Sequence, residues 1–186
     1  VIPEMLSRKS MIVLAETGSG KTLSYALPIV DKIKKREDNG QKNTTKCAPI
    51  ALVISPTREL ATQIHQVFKD ISHHAKFRVR ALTGGTTISK VKTTASETYE
   101  VLVATPTRIR SALARNELSF NQLQMVIFDE ADNLLEMGFK KDLDFGKSLF
   151  INCASNSACF QRSLKLVLHD STIGPISSVK TRMSYS

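Results

Sequence analysis

The 186-residue chain contains no tryptophan, three cysteines and no apolar run longer than a strand. Eight phenylalanines and three tyrosines without a tryptophan offer no row of stacking rings of the kind single-strand binders use to grip bases. Six prolines and eight glycines without a period exclude collagen and low-complexity disorder. Cys47, Cys153 and Cys159 are odd in number and at no metal-ligand spacing, which excludes a disulfide scaffold and points to a reduced, intracellular compartment. The longest apolar runs, such as residues 50–54, suit a strand and are too short to span a bilayer, and no basic segment precedes an apolar one as in a signal peptide. Opening at Val1 without an initiator methionine, the chain reads as a piece of something longer. Acidic residues are also scarce. Against 17 Asp and Glu stand 26 Lys and Arg, a net charge of +9 that favours a polyanionic partner, whether nucleic acid or an anionic surface.

What the chain does contain is rhythm. Short β-branched runs at 11–15, 50–55, 77–83, 100–105 and 125–129 are continuously apolar, as strands covered on both faces are. Amphipathic stretches at 21–35, 57–74, 86–96, 106–115 and 131–147 lie between and after them. Strand and helix alternating five times predict a doubly wound α/β fold with a mostly parallel sheet and helices on both faces. In such folds ligands bind beyond the carboxyl ends of the strands, so every candidate site should lie there. Two stretches break the pattern. Residues 32–46 are polar and highly charged, which predicts a solvated loop after the first helix. From about 152 the rhythm fades, although 164–168 could make one more strand, and 177–186 reads as a frayed end. Lys76 to Arg80 alternates basic and apolar residues, as a strand with one wet face does, and His65, His73 and His74 lack the partners of a metal site.

Two motifs carry chemistry. Ala15-Glu16-Thr17-Gly18-Ser19-Gly20-Lys21-Thr22 follows a strand and opens a helix. Small residues let successive backbone N–H groups turn inward around phosphate oxygens, and the helix N-terminus adds positive potential. Lys21 is placed to reach the outer phosphates and the Thr22 hydroxyl to ligate Mg²⁺. A Gly-rich turn with an incidental lysine is the bland alternative. The second motif, Asp129-Glu130-Ala131-Asp132, ends the apolar run 125–128. A carboxylate at that strand end can hold Mg²⁺ opposite the loop threonine, and Glu130 beside it can orient or deprotonate an attacking water. Acidic residues also stabilise a helix N-terminus, but paired with the loop they make a Mg–nucleoside triphosphate site.

With these motifs the chain resembles the first RecA-like lobe of a DEAD-box ATP-dependent RNA helicase, a P-loop NTPase domain. Residues 15–22 match A-x-T-G-S-G-K-T, Pro56 to Leu60 match P-T-R-E-L, Gly84-Gly85 the double glycine, and Asp129 to Asp132 the name-giving tetrad. Thr105-Pro106-Thr107-Arg108 is similar to T-P-G-R with Thr107 for glycine, and Met137-Gly138-Phe139 fits the run after the tetrad. The resemblance implies an ATP-binding domain over residues 1–148. Lys21 and Thr22 would bind phosphates and Mg²⁺ with help from Thr17, Gly18, Ser19 and Gly20. Asp129 would hold the metal and Glu130 would act on water. Thr57, Arg58, Gly84, Gly85, Thr105 and Arg108 would follow one RNA strand's sugar–phosphate backbone. None of those six suits base edges, so binding should be sequence-independent and salt-sensitive.

The departures matter as well. The resemblance implies an adenine-recognition segment upstream of the loop, which this chain begins too late to contain, and a second lobe with an arginine finger, which it lacks. It also implies a strand ending in Ser-Ala-Thr that contacts the last Asp of the tetrad. No such triplet occurs in 149–186, so that segment is left unassigned, as a disordered or aberrant tail, and Asp132 is expected to lack its partner. A single incomplete lobe is expected to bind nucleotide and RNA weakly and to turn over little. A non-catalytic, regulatory nucleotide- or RNA-binding fragment, or a P-loop ATPase acting on DNA, are the alternatives the same residues leave open.

Overall fold

The computed structural model describes residues 1–7, 11–16, 18–84, 97–136 and 164–169. In chain order these form α1 (Ile2–Leu6), β1 (Met11–Leu14), α2 (Lys21–Asp38), β2 (Ala51–Ile54), α3 (Arg58–Ala75), β3 (Val79–Leu82), β4 (Val101–Ala104), α4 (Pro106–Ala114), β5 (Met125–Phe128), α5 (Ala131–Glu136) and β6 (Leu164–His169). The six strands make one sheet in the order β1-β6-β5-β2-β4-β3, every pair parallel. The α/β class expected from the alternation of elements is therefore the fold observed. Among the described residues no helix is long and apolar enough to cross a membrane.

Successive side chains of the inner strands point to opposite faces, and both faces are packed. Ala51, Val53, Val101, Val103, Met125 and Ile127 join Tyr25, Ile29 and Ile33 of α2 and Ala61, Ile64 and Phe68 of α3 in one core. Leu52, Ile54, Leu102, Ala104 and Val126 join Ile109 and Ala112 of α4 and Leu134 of α5 in the other. This two-sided burial is why the runs of β2, β4 and β5 are continuous instead of alternating, whereas β1 departs from the expectation of a strand covered on both faces, with Ile12 and Leu14 exposed.

The polar stretch expected as a loop at 32–46 is corrected. Helix α2 continues to Asp38 before the chain leaves it. Lys35 pairs with Asp31 at 2.8 Å and Lys34 with Glu37 at 2.6 Å, at the spacings that bring residues of one helix face together, and Ile33 is fully buried. Lys, Arg and Glu have good helix propensity, so a highly charged composition here is that of an exposed helix face and not of a loop. Pro28 inside α2 would by itself cost about 3 kcal/mol, but the buried Tyr25, Ile29 and Ile33 around it each stabilise the helix by roughly 1.5–3 kcal/mol. Beyond the helix Asn43 is buried and donates to the carbonyls of Ala48 and Tyr99 at 2.9 and 2.8 Å, so this stretch is tied to the fold.

Of the alternating segment 76–80, expected as a strand with one wet face, only Val79 and Arg80 enter β3, at the edge of the sheet, and its two arginines have internal partners. Arg78 binds the buried Glu100 carboxylate through Nη2 at 2.6 Å and through its backbone N–H at 2.7 Å, and Arg80 pairs with Glu97. The expected helix at 86–96 and the expected continuation of α5 through 137–147 lie outside the described residues.

The extra strand expected at 164–168 is present as β6. It pairs with β1 from Met11↔Leu166 to Leu14↔His169 and with β5 from Met125↔Leu164 to Phe128↔Val167. Part of the segment left unassigned in the sequence thus lies inside the sheet. Removing it strips both neighbours of a partner, at about 1 kcal/mol for each lost backbone bond, against a typical domain stability of about 5–15 kcal/mol. A chain ended after residue 148 is expected to lose its cooperative thermal transition by circular dichroism, whereas one ended after His169 keeps it. A 148-residue chain that melts like the parent would contradict the placement of β6.

Candidate functional site

The first half of the candidate site begins at the end of β1. Gly18 and Gly20 have φ of 80° and 81°, where a Cβ is strained, while the space beside each is open, so backbone conformation and not crowding calls for glycine. Gly20 is the N-cap of α2 and offers no side chain to the first-turn N–H groups, which leaves them directed at whatever anion arrives. Lys21 Nζ donates to the Ala15 carbonyl at 2.6 Å, which folds the ammonium over the loop. Thr22 lies half-buried beside it. Thr17 lies outside the described residues.

Asp129 stands at the C-terminal end of β5 with 7% of its surface exposed, and its N–H donates to the Ile54 carbonyl at 2.9 Å. Its Oδ2 accepts from the Tyr25 hydroxyl at 2.9 Å and its Oδ1 from the Glu130 N–H at 3.1 Å. Burial pushes the carboxyl above its ordinary range, opposed by the Tyr25 hydrogen bond. The Tyr25 phenol is likewise raised well above its usual value, first by burial and then by the Asp129 charge. Glu130 adopts φ of 50°, an uncommon conformation for a non-glycine residue and one concentrated at functional sites. Its Oε2 accepts from Asn133 Nδ2 at 2.9 Å. Asp132 is buried, and neither carboxylate oxygen has a hydrogen-bond partner among the described residues.

The remaining candidates lie along the same edge. Thr57 caps α3, its Oγ1 accepting the Leu60 N–H at 3.2 Å, and Arg58 is exposed at the first position of that helix. Thr105 caps α4 without a side-chain cap bond, and Arg108 is half-buried within its first turn. Gly84 follows β3 with open space where a Cβ would be, and Gly85 lies outside the described residues. Thr107 is exposed in α4, where helical backbone suits it as well as glycine. Because β2, β4 and β3 are consecutive in the sheet, Thr57, Thr105 and Gly84 follow three adjacent strand ends.

Sequence reasoning missed Tyr25 and Asn133. Tyr25 lies one turn after Thr22, and a tyrosine within a buried apolar stripe needs a partner for its hydroxyl, a signal that was available in the spacing. Asn133 sits three residues after Glu130 in the same turn.

A sequence profile of the DEAD/DEAH box helicase family matches residues 1–167. The chain is 37% identical over 142 residues to DEAD-box ATP-dependent RNA helicase 39 of Arabidopsis thaliana, a match over 76% of this chain and 23% of that protein. It is 36% identical over 143 residues to ATP-dependent RNA helicase DBP10 of Vanderwaltozyma polyspora, over 77% of this chain and 14% of that one. Among solved structures, that of DEAD-box helicase Mss116 bound to ssRNA and UDP-BeF superposes with a TM-score of 0.79 at 27% identity, over 96% of this chain and 35% of that one. The chain thus spans less than a quarter of the length of either curated relative.

The cap that Thr57 provides is open to a direct test. Thr57→Ala is expected to destabilise the chain by about 1 kcal/mol through the lost cap, read as a lowered urea midpoint. Thr57→Ser keeps the cap and should restore that midpoint.

Proposed function

The chain belongs to the DEAD/DEAH box helicase family, and on that premise we propose that it is the nucleotide-binding RecA-like lobe of an ATP-dependent RNA helicase. It would bind ATP at the loop after β1 and the sugar–phosphate backbone of RNA along the ends of β2, β4 and β3. The observation that carries this reading is the meeting of both sets of residues on one edge of the sheet, Lys21 and Asp129 on one half and Thr57, Arg58, Gly84, Thr105 and Arg108 on the other.

The first-turn N–H groups of α2 and the Lys21 ammonium receive the phosphates. A phosphate oxygen offers Lys21 a charged acceptor stronger than the Ala15 carbonyl it now binds. The Thr22 hydroxyl and the Asp129 carboxylate are hard oxygen donors, few in number, which suits Mg²⁺, a cation that keeps several waters and takes its other ligands from substrate phosphates. Bound there, Mg²⁺ would neutralise charge on the phosphates. Glu130, with one oxygen held by Asn133, orients and deprotonates the attacking water. Arg58 and Arg108 neutralise RNA phosphates, the N-termini of α3 and α4 add their N–H groups, and Gly84 with Gly85 lets the strand approach closely. Separation of duplexes belongs to the longer protein of which such a lobe is a part.

Nucleotide and RNA binding are tested separately. Lys21→Ala is expected to remove binding of a fluorescent ATP analogue while leaving single-stranded RNA binding intact. Arg58→Ala and Arg108→Ala should each weaken binding to poly(U) and flatten its salt dependence by roughly 0.7 in log–log slope, with no change for nucleotide. Tighter retention of single-stranded DNA than of RNA in competition would favour an ATPase acting on DNA instead.

A further inference from the structure

Tyr25 is fully buried in α2, and its ring is fixed by its neighbours. It packs against Phe68 with ring centroids 6.3 Å apart, and Phe68 in turn meets Phe77 edge-on at 6.4 Å. The hydroxyl at the end of this immobilised ring donates to Asp129 Oδ2 at 2.9 Å across 104 residues of sequence. Thr22 lies one turn earlier on the same helix. The phenol therefore links the helix that carries Thr22 to the Asp129 carboxylate, and Thr22 and Asp129 are the side chains that would supply oxygen to the metal in the reading above.

We propose that Tyr25 is a positioning residue of the nucleotide–metal site, its hydroxyl holding the Asp129 carboxylate in the orientation that receives Mg²⁺. This rests on the Mg–nucleotide reading of the loop and of Asp129. A carboxylate has about four lone-pair positions. Tyr25 and the Glu130 N–H each use one, on different oxygens, which fixes the plane of the group and leaves the other positions for the cation or its waters. Without the phenol, Asp129 keeps only a bond to the next residue in sequence, which restrains its rotamer weakly. Asp132, buried in the same turn with both oxygens unpartnered among the described residues, shows that burial alone does not supply such a hold. Partners that orient metal-binding side chains typically change metal affinity by roughly 10- to 100-fold when removed.

Tyr25→Phe keeps the ring and removes only the hydroxyl. The 186-residue chain would be titrated with Mg²⁺ in the presence of N-methylanthraniloyl-ADP, and its affinity for that nucleotide measured separately in EDTA. Tyr25→Phe is expected to raise the Mg²⁺ concentration for half-maximal nucleotide binding roughly tenfold while leaving the EDTA affinity within about twofold. In an Asp129→Asn background the same substitution should add no further shift, because its effect passes through that carboxylate. An unchanged Mg²⁺ requirement in Tyr25→Phe, or additive effects in the double variant, would overturn the role of Tyr25 and leave the nucleotide site standing. Equal losses with and without Mg²⁺ would assign Tyr25 to packing and also overturn it. Absence of nucleotide binding by the parent chain would overturn the site itself, and the proposal with it.

Discussion

Among the described residues, β1 is hydrogen-bonded to the sheet through β6 alone, and this single pairing holds the phosphate loop in register with the carboxylate at the end of β5. The strands adjacent in sequence cannot do it, since the chain leaves β1 through α2 and re-enters the sheet at β2, on the far side of β5. Two steps between neighbouring strands set β1 and β5 about 10 Å apart. Helix α2 then returns from the loop, and Tyr25 closes the circuit by reaching Asp129 from above the sheet. The loop and the carboxylate are thus joined twice, by backbone through β6 and by a side chain through α2.

A second line of backbone bonds crosses the strand ends. The Asp129 N–H donates to Ile54, the Ser55 N–H to Ala104 and the Thr105 N–H to Leu82, at 2.9, 3.1 and 3.2 Å. These bonds continue the ladder one residue past β5, β2 and β4, where each chain turns toward its helix. They tie the Asp129 carboxylate to Thr105 through packed, fully buried strands. A displacement of Asp129 cannot leave the neighbouring ends of β2 and β4 untouched, because interiors of this density transmit strain instead of absorbing it.

Local pattern carried most of the fold. Strands β2, β4 and β5 are buried on both faces, so their apolar runs are unbroken and legible, and the phosphate loop is legible because glycine at Gly18 and Gly20 answers a backbone need. What was hidden depended on partners distant in sequence. The charges at Lys34, Lys35 and Glu37 suggested solvent, and only their pairing and the burial of Ile33 show a helix. Leu164–His169 reads as an isolated apolar run, and its place between β1 and β5 is a fact of topology. Asn43 looks like any loop residue until the carbonyls of Ala48 and Tyr99 are brought to it.

Four arginines show two different uses of positive charge. At the edge strand, Arg78 and Arg80 are matched to Glu100 and Glu97, and Glu100 is buried beneath its partner, so removing Arg78 would strand a carboxylate in the interior. These arginines act on the fold. Arg58 and Arg108, at the carboxyl ends of β2 and β4, have no ion-pair partner among the described residues, and each stands in the first turn of a helix. A cation is disfavoured at that end of a helix, where the N–H groups already concentrate positive potential. Two such placements on adjacent strand ends make little sense for stability. They make sense for an anion lying across both, because each arginine then adds to the N–H groups behind it instead of opposing them.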